Sequence, residues 1–140
     1  MPEPEPIWLT RRIVDALHRE VIREYGGSPE LRDDGSIDSA LARPVNLRHY
    51  GTGTDLSALG AAYAWGLLKN HGYRDGNKRV GAAAMAVFLM LNGLELQAPE
   101  PELVASMLAV ASGEWDEVTF AAWVRENVTP FEEEGKQEGG

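Results

Sequence analysis

Cysteine is absent from the 140 residues, which removes a disulfide framework, a thiolate nucleophile and any cysteine-ligated zinc from consideration. Lysine is nearly absent: there are three, and two of them, Lys69 and Lys78, fall in one short stretch. No apolar run is long enough to cross a bilayer. The longest, "VGAAAMAVFLMLNGL", falls short of the ~20 residues a span requires and reads as a buried helix. The start, "MPEPEPIWLT", is acidic and proline-rich, without the basic and apolar regions of a secretory leader, so an intracellular, cytoplasmic protein is expected. Positive charge is scarce overall. A formal net charge of −9 argues against nonspecific binding to nucleic acid or to an anionic membrane, since both would repel the chain. What is present, 44% hydrophobic residues in a chain of this length, is enough for one globular domain with a single core.

Helical spacing dominates. Residues 1–8 read as a disordered lead. A first helix is expected from Thr10, a fair N-cap, with Ile13, Val14, Leu17, Val21 and Tyr25 as its apolar stripe and Gly26–Gly27 as its end. "SIDSALAR" reads as a short helix closed by Pro44, because proline disfavours helical geometry in the residue before it. "PVNLRHYGTGT" follows as a polar connector without helical period. Asp55 opens a long Ala- and Leu-rich helix, and another starts near Asn77, apolar on nearly every side and therefore expected to be the central one. Two more helices follow, "PELVASMLAVAS" and "DEVTFAAWVRENV", before an acidic tail, residues 129–140, that reads as disordered. With no clear alternating apolar run, the expectation is an all-α single domain over residues 9–128, of about six helices at a mean length of ~12 residues.

The chemistry concentrates in "KNHGYRDGNKRVG", residues 69–81. His71 ends one helix; Asp75 and Gly76 precede the next. A helix N-terminus offers unpaired N–H groups and the positive end of a dipole, which together suit an anion, and Gly76 permits close approach of the backbone. Lys78 and Arg79 in a first turn oppose the dipole by about 0.3–1 kcal/mol each, a mismatch that a polyphosphate would relieve. The pattern is not a Walker A loop, because Asn77 precedes Lys78 and Arg79 follows it. Beside phosphates, Asp75 would hold Mg²⁺, and His71 has a suitable pKa to take a proton from a hydroxyl. Blander roles stand beside these: His71 as a helix-end residue, Asp75 and Asn77 as caps, Arg74 as a solvated rim charge, Lys69 as a last-turn cation, His18 as a structural residue of the first helix. The four tryptophans, Trp8, Trp65, Trp115 and Trp123, read as core or partner surface rather than a base-stacking platform.

"HGYRDGNKR" resembles the active-site signature of the Fic/Doc family, roughly H-P-F-x-D-G-N-K/G-R. Lys78, where the AMP-transferring branch has glycine, and Ala82, where that branch has a second arginine, are similar to the Doc (death-on-curing) branch. The similarity extends from about Leu9 to about Val128. It implies a compact helical fold and a toxin of a toxin–antitoxin pair that moves the γ-phosphate of ATP to a hydroxyl of a target protein. For the best-known Doc-type toxin that target is the translation elongation factor that delivers aminoacyl-tRNA. The resemblance implies His71 as the base, Asp75 as the Mg²⁺ ligand, Gly76 and Asn77 as the anion hole, and Lys78 and Arg79 as phosphate contacts, with an antitoxin protein as partner. The alternatives are AMP transfer or a nucleotide- or antitoxin-binding module without turnover. Gly72 stands where the family has proline and Tyr73 where it has phenylalanine. Glycine is expected to loosen the residue beside the base, and tyrosine to anchor the loop if its hydroxyl finds a partner. The connector 45–54 lies where the family clamps its target segment.

Overall fold

The computed structural model describes residues 4–51 and 54–131. Six helices run in the order α1 (Arg11–Tyr25), α2 (Asp34–Tyr50), α3 (Leu56–Asn70), α4 (Asn77–Leu91), α5 (Glu100–Ser112) and α6 (Glu117–Glu126). The all-α expectation holds, with one addition. Strands β1 (Leu94–Leu96) and β2 (Val128–Pro130) pair antiparallel, Leu94 opposite Pro130 and Leu96 opposite Val128. Three residues are too few to show an alternating pattern, although Leu94 and Leu96 do turn inward around exposed Glu95. Thr129 and Pro130, read as tail, therefore belong to a strand, and the Phe131 N–H continues the ladder to the Gly93 carbonyl at 2.8 Å. The lead is tied down as well: Trp8 stacks on Phe88, and the Ile7 N–H reaches Asn92 Oδ1 at 2.8 Å. Residues 1–3 and 132–140, the outer parts of the lead and the tail, lie outside the described residues.

The helix starts follow their side chains. Thr10 accepts from the Ile13 N–H, Asp55 from Ala58 and Asp116 from Thr119, each satisfying a donor that the first turn would otherwise leave open. The central helix is α3 rather than α4. It buries ten of its residues and packs against α2, α4 and α6, whereas α4 buries six and leaves Met90 and Leu91 partly exposed. Small residues explain this. A Cβ at Gly66 would lie 3.2 Å from the Ala40 Cα of α2, and one at Gly60 would lie 3.1 Å from Leu89 of α4. The neighbouring helices thus approach α3 more closely than larger residues would allow. Tyr63 and Phe88, both fully buried, meet at 5.0 Å between ring centres near the middle of the core, each worth about 1.5–3 kcal/mol by burial. All four tryptophans pack against this core.

The largest departure from the sequence reading is α2. It does not stop at Pro44 but continues to Tyr50, so residues 45–50 of the expected connector are helical and Gly51 caps them. A proline inside a helix removes one hydrogen bond and crowds the preceding turn, and here tertiary packing outweighs that cost. Pro44 is itself buried, Ala40 lies against Gly66, Leu41 and Leu47 face the core, and Arg43 pairs with Glu117 of α6. Residues 52 and 53 of that connector lie outside the described residues.

Candidate functional site

The stretch 71–76 joins α3 to α4 and begins with strain. His71 sits at φ 51°, ψ 48°, the one non-glycine residue with positive φ among the described residues. Glycine is the cheaper occupant of this left-handed helix-ending position, by about 1–2 kcal/mol. Backbone strain kept at such a position makes His71 a candidate for function. The imidazole is exposed on a cavity of about 400 Å³ that is also lined by Lys69, Asp75, Gly76, Asn77 and Lys78.

The backbone beside His71 is held from outside the loop. Residues 30–33 run as a strap along it: Gly72 C=O accepts from the N–H groups of Arg32 (2.8 Å) and Asp33 (2.9 Å), and the Arg74 N–H reaches the Glu30 carbonyl at 3.0 Å. Leu31 faces Tyr73 in an antiparallel bridge, and Arg32 Nη1 donates to the His71 carbonyl at 2.9 Å. Gly72 is buried, and a Cβ there would lie 2.2 Å from Ile37 Cδ1 and 2.7 Å from its Cγ1. Ile37 of α2 fills the space that a Cβ would take, and the two strap bonds restrain the glycine backbone in place of a proline ring.

Tyr73 is the anchor under the loop, and its hydroxyl has a partner. The side chain is 2% exposed, the hydroxyl donates to Asp15 Oδ1 at 2.6 Å, and burial together with that carboxylate pushes the phenol pKa well above its ordinary value. Asp15 is in turn held by Arg11, whose guanidinium also reaches Asp34 and Asp38 at the start of α2. On its other side the Tyr73 ring lies parallel to His18, 3.7 Å between centres. His18 is itself 2% exposed, and its Nε2 lies 2.7 Å from the Asp75 carbonyl. Sequence reading assigned His18 a structural place in α1 and passed over Asp15. The available signal was a histidine falling between Val14 and Val21 on the buried face of α1, where a polar group must find a partner.

Asp75 and Asn77 complete the turn. Asp75 Oδ2 accepts from the Ser28 N–H at 2.7 Å. Gly27, at φ 109°, passes so close that a Cβ there would lie 3.0 Å from the Asp75 Cβ. Oδ1 has no hydrogen-bond partner among the described residues. The Asn77 amide is committed to the loop itself: its Oδ1 accepts from the Tyr73 N–H (3.1 Å) and its Nδ2 donates to the Tyr73 carbonyl (2.8 Å). Gly76 caps α4 in a left-handed conformation, and no side chain caps the helix start. The first bond into α4 is from the Val80 N–H to Gly76, so the N–H groups of Gly76, Asn77, Lys78 and Arg79 have no acceptor among the described residues. Such amides make an anion site when something anionic faces them.

The cations divide. Lys78 and Arg79 are exposed and form no ion pair among the described residues. Lys78 lines the His71 cavity. Arg79 does not: its guanidinium stacks 3.7 Å over the Tyr25 ring and lines an adjoining groove of about 510 Å³ between α1, α4 and α5, which Lys78 borders too. Arg74 pairs with Glu30 at 3.2 Å, and Lys69 lies over Trp65. Among the described residues no group of three His, Cys, Asp or Glu side chains is placed to hold a metal ion. Protein alone would therefore not cage a metal here. One free carboxylate oxygen beside open amides does fit Mg²⁺ in its usual manner, held by a single carboxylate, waters and ligand oxygens.

The elements define a small all-helical protein in which one helix start, fronted by a single histidine and a single carboxylate, is left open to an anion. The model of the Fic/DOC family matches residues 8–89, from the end of the lead through most of α4, and the chain belongs to that family. It is 32% identical over 99 residues to a protein named protein kinase doc of Escherichia phage P1, covering 71% of this chain and 78% of that protein. It is 41% identical over 76 residues to a protein named toxin Doc of Mycolicibacterium smegmatis, covering 53% and 58%.

Proposed function

We propose that this protein is a Doc-type toxin that transfers the γ-phosphate of ATP to a hydroxyl of a target protein, and that a translation elongation factor is that target. The carrying observation is the convergence of His71, Asp75 and the unpaired start of α4, with Lys78, on one cavity. The name of the phage P1 relative supports phosphate as the group moved. In this reading His71 accepts the proton of the attacking hydroxyl, the hydroxyl oxygen bonds to the γ-phosphorus, and the bond to the β-phosphate oxygen breaks to release ADP. The N–H groups from Gly76 onward bear the polyphosphate charge, Lys78 adds a cation to the same wall, and Arg79 serves from the groove side. Asn77 contributes by fixing the Tyr73 backbone and by its own N–H. Asp75 Oδ1 would hold Mg²⁺, which supplies charge neutralisation of the phosphates.

Lys78 and Ala82 disfavour AMP transfer as the alternative, and the packing of Gly72 against Ile37 weighs against a degenerate site. The partner we infer is an antitoxin. The apolar groove beside Lys78, with Val104 45% and Leu108 51% exposed, is a surface for it to cover.

The test incubates purified protein with a bacterial cell-free translation extract and ATP labelled on either the γ- or the α-phosphate. Label from γ on a translation protein, lost in His71→Ala, is expected. Label from α establishes AMP transfer instead, and no label from either rejects turnover.

A further inference from the structure

A buried imidazole is an expensive way to fill the inner face of α1, and the one at His18 makes its polar contact outside α1. Its ring lies parallel to Tyr73 at 3.7 Å, and its Nε2 meets a carbonyl, that of Asp75, at 2.7 Å. A carbonyl can only accept, so Nε2 carries the proton and donates. The following residue, Gly76, crosses directly above: a Cβ there would lie 3.3 Å from Val21, 3.4 Å from Ile22 and 3.5 Å from His18 Nε2. The peptide between Asp75 and Gly76 is trans and planar, so its N–H points opposite to its C=O. An Asp75 carbonyl drawn inward to His18 turns the Gly76 N–H outward, away from the imidazole. From these contacts we infer that His18 is a positioning residue. By holding the Asp75 carbonyl, it fixes the peptide that presents the Gly76 N–H to an anion. The inference rests on the anion-binding reading of this helix start.

Among the described residues no other hydrogen bond reaches that peptide. The Asp75 side chain is fixed separately by Ser28 and the Tyr73 backbone by Asn77, while no other group bonds the Asp75 carbonyl among the described residues. Without the imidazole donor, the plane is free to turn about the left-handed Gly76, and an outward carbonyl would repel the anion it should receive.

Three measurements on the full chain test this. The first is the nitrogen spectrum of His18 in the wild-type protein, without ligand. The Nε2–H tautomer is expected; the Nδ1–H tautomer overturns the inference whatever the protein binds. The second is calorimetry with inorganic triphosphate, in Mg²⁺ and in EDTA, on the wild type, His18→Phe and His18→Gln. Phenylalanine keeps the stack on Tyr73 but has no donor; glutamine carries an amide donor. His18→Phe is expected to bind roughly tenfold to hundredfold more weakly in both buffers, and His18→Gln to recover most of the loss. Equal affinity of wild type and His18→Phe, or equal loss in both variants, defeats the assignment. The third is amide hydrogen exchange at Gly76, expected to be fast in the wild type and slowed in His18→Phe as the N–H turns inward. Unchanged exchange counts against the inference. A wild type that binds no triphosphate rejects the anion site itself, and the tautomer and Gly76 exchange still decide the role of His18.

Discussion

Replacing Gly72 by alanine adds one methyl group at a place already taken. The new Cβ would lie 2.2 Å from Ile37 Cδ1 and 2.7 Å from Cγ1, far inside van der Waals contact. Ile37 is 1% exposed, so its end has no open space to move into. Overpacking of this kind costs typically 1–3 kcal/mol. Ile37→Val removes the nearest atom at its own cost of about 0.5–1.5 kcal/mol. The pair together moves one methyl group from α2 to the loop and conserves volume, leaving only the 2.7 Å approach to Cγ1 for a small shift to relieve. Independent effects would sum to about 3 kcal/mol. The geometry instead predicts a double variant only about 1 kcal/mol below wild type, hence a coupling of about 2 kcal/mol, within the range for residues in contact. Urea unfolding reads this directly. At a slope of ~1.5 kcal/mol per molar, Gly72→Ala lowers the midpoint by ~1.3 M and the double variant by well under 1 M. Additive losses in the cycle would refute the argument that Ile37 fills the space that a Cβ at residue 72 would take.

His71→Gly should raise stability by about 1–2 kcal/mol, through relief of its left-handed backbone, while abolishing phosphate transfer. Thermal unfolding and the labelled-ATP assay check the two halves. Tyr73→Phe leaves Asp15 without its 2.6 Å donor and should cost about 1–2 kcal/mol in urea. Asn77→Ala removes both bonds to the Tyr73 backbone and should cost about 1–3 kcal/mol and weaken triphosphate binding, read by unfolding and calorimetry. Three cap carboxylates have lowered pKa values: Asp33 through the Ser36 hydroxyl, Asp55 through the Arg125 guanidinium and Asp116 through the Thr119 N–H. A depressed carboxyl pKa gives stability that is fully present above the unfolded value, about 3.9, and is lost as pH falls below it toward the folded value. Unfolding free energy should therefore decline below about pH 4, and Asp55→Asn should lessen that decline.

Much of this was legible because it is local. Thr10, Asp55 and Asp116 announce helix starts by residue type, and His71, Asp75, Gly76, Asn77 and Lys78 stand together in the chain before they line one cavity. What was not legible depends on distant residues. Pro44 reads as a stop unless Gly66 and Glu117 are known to be there. Gly72 reads as slack unless Ile37 is beside it. Arg79 reads as one of two equal cations until Tyr25, far away in sequence, draws it to the groove. His18 is a small anomaly in an apolar stripe, and only the fold shows that the anomaly serves residues 73–76.

The strap, Asp15, His18 and Ile37 all precede residue 40, whereas every residue of the signature follows residue 70. The motif is therefore not a transplantable cassette. A fragment beginning at α3 would carry the whole signature and none of its seat, and the same nine letters grafted onto another helix pair would lose the inward carbonyl, the anchored phenol and the filled space behind Gly72. Gene truncations that spare the motif but remove the first third of the chain should behave as complete losses.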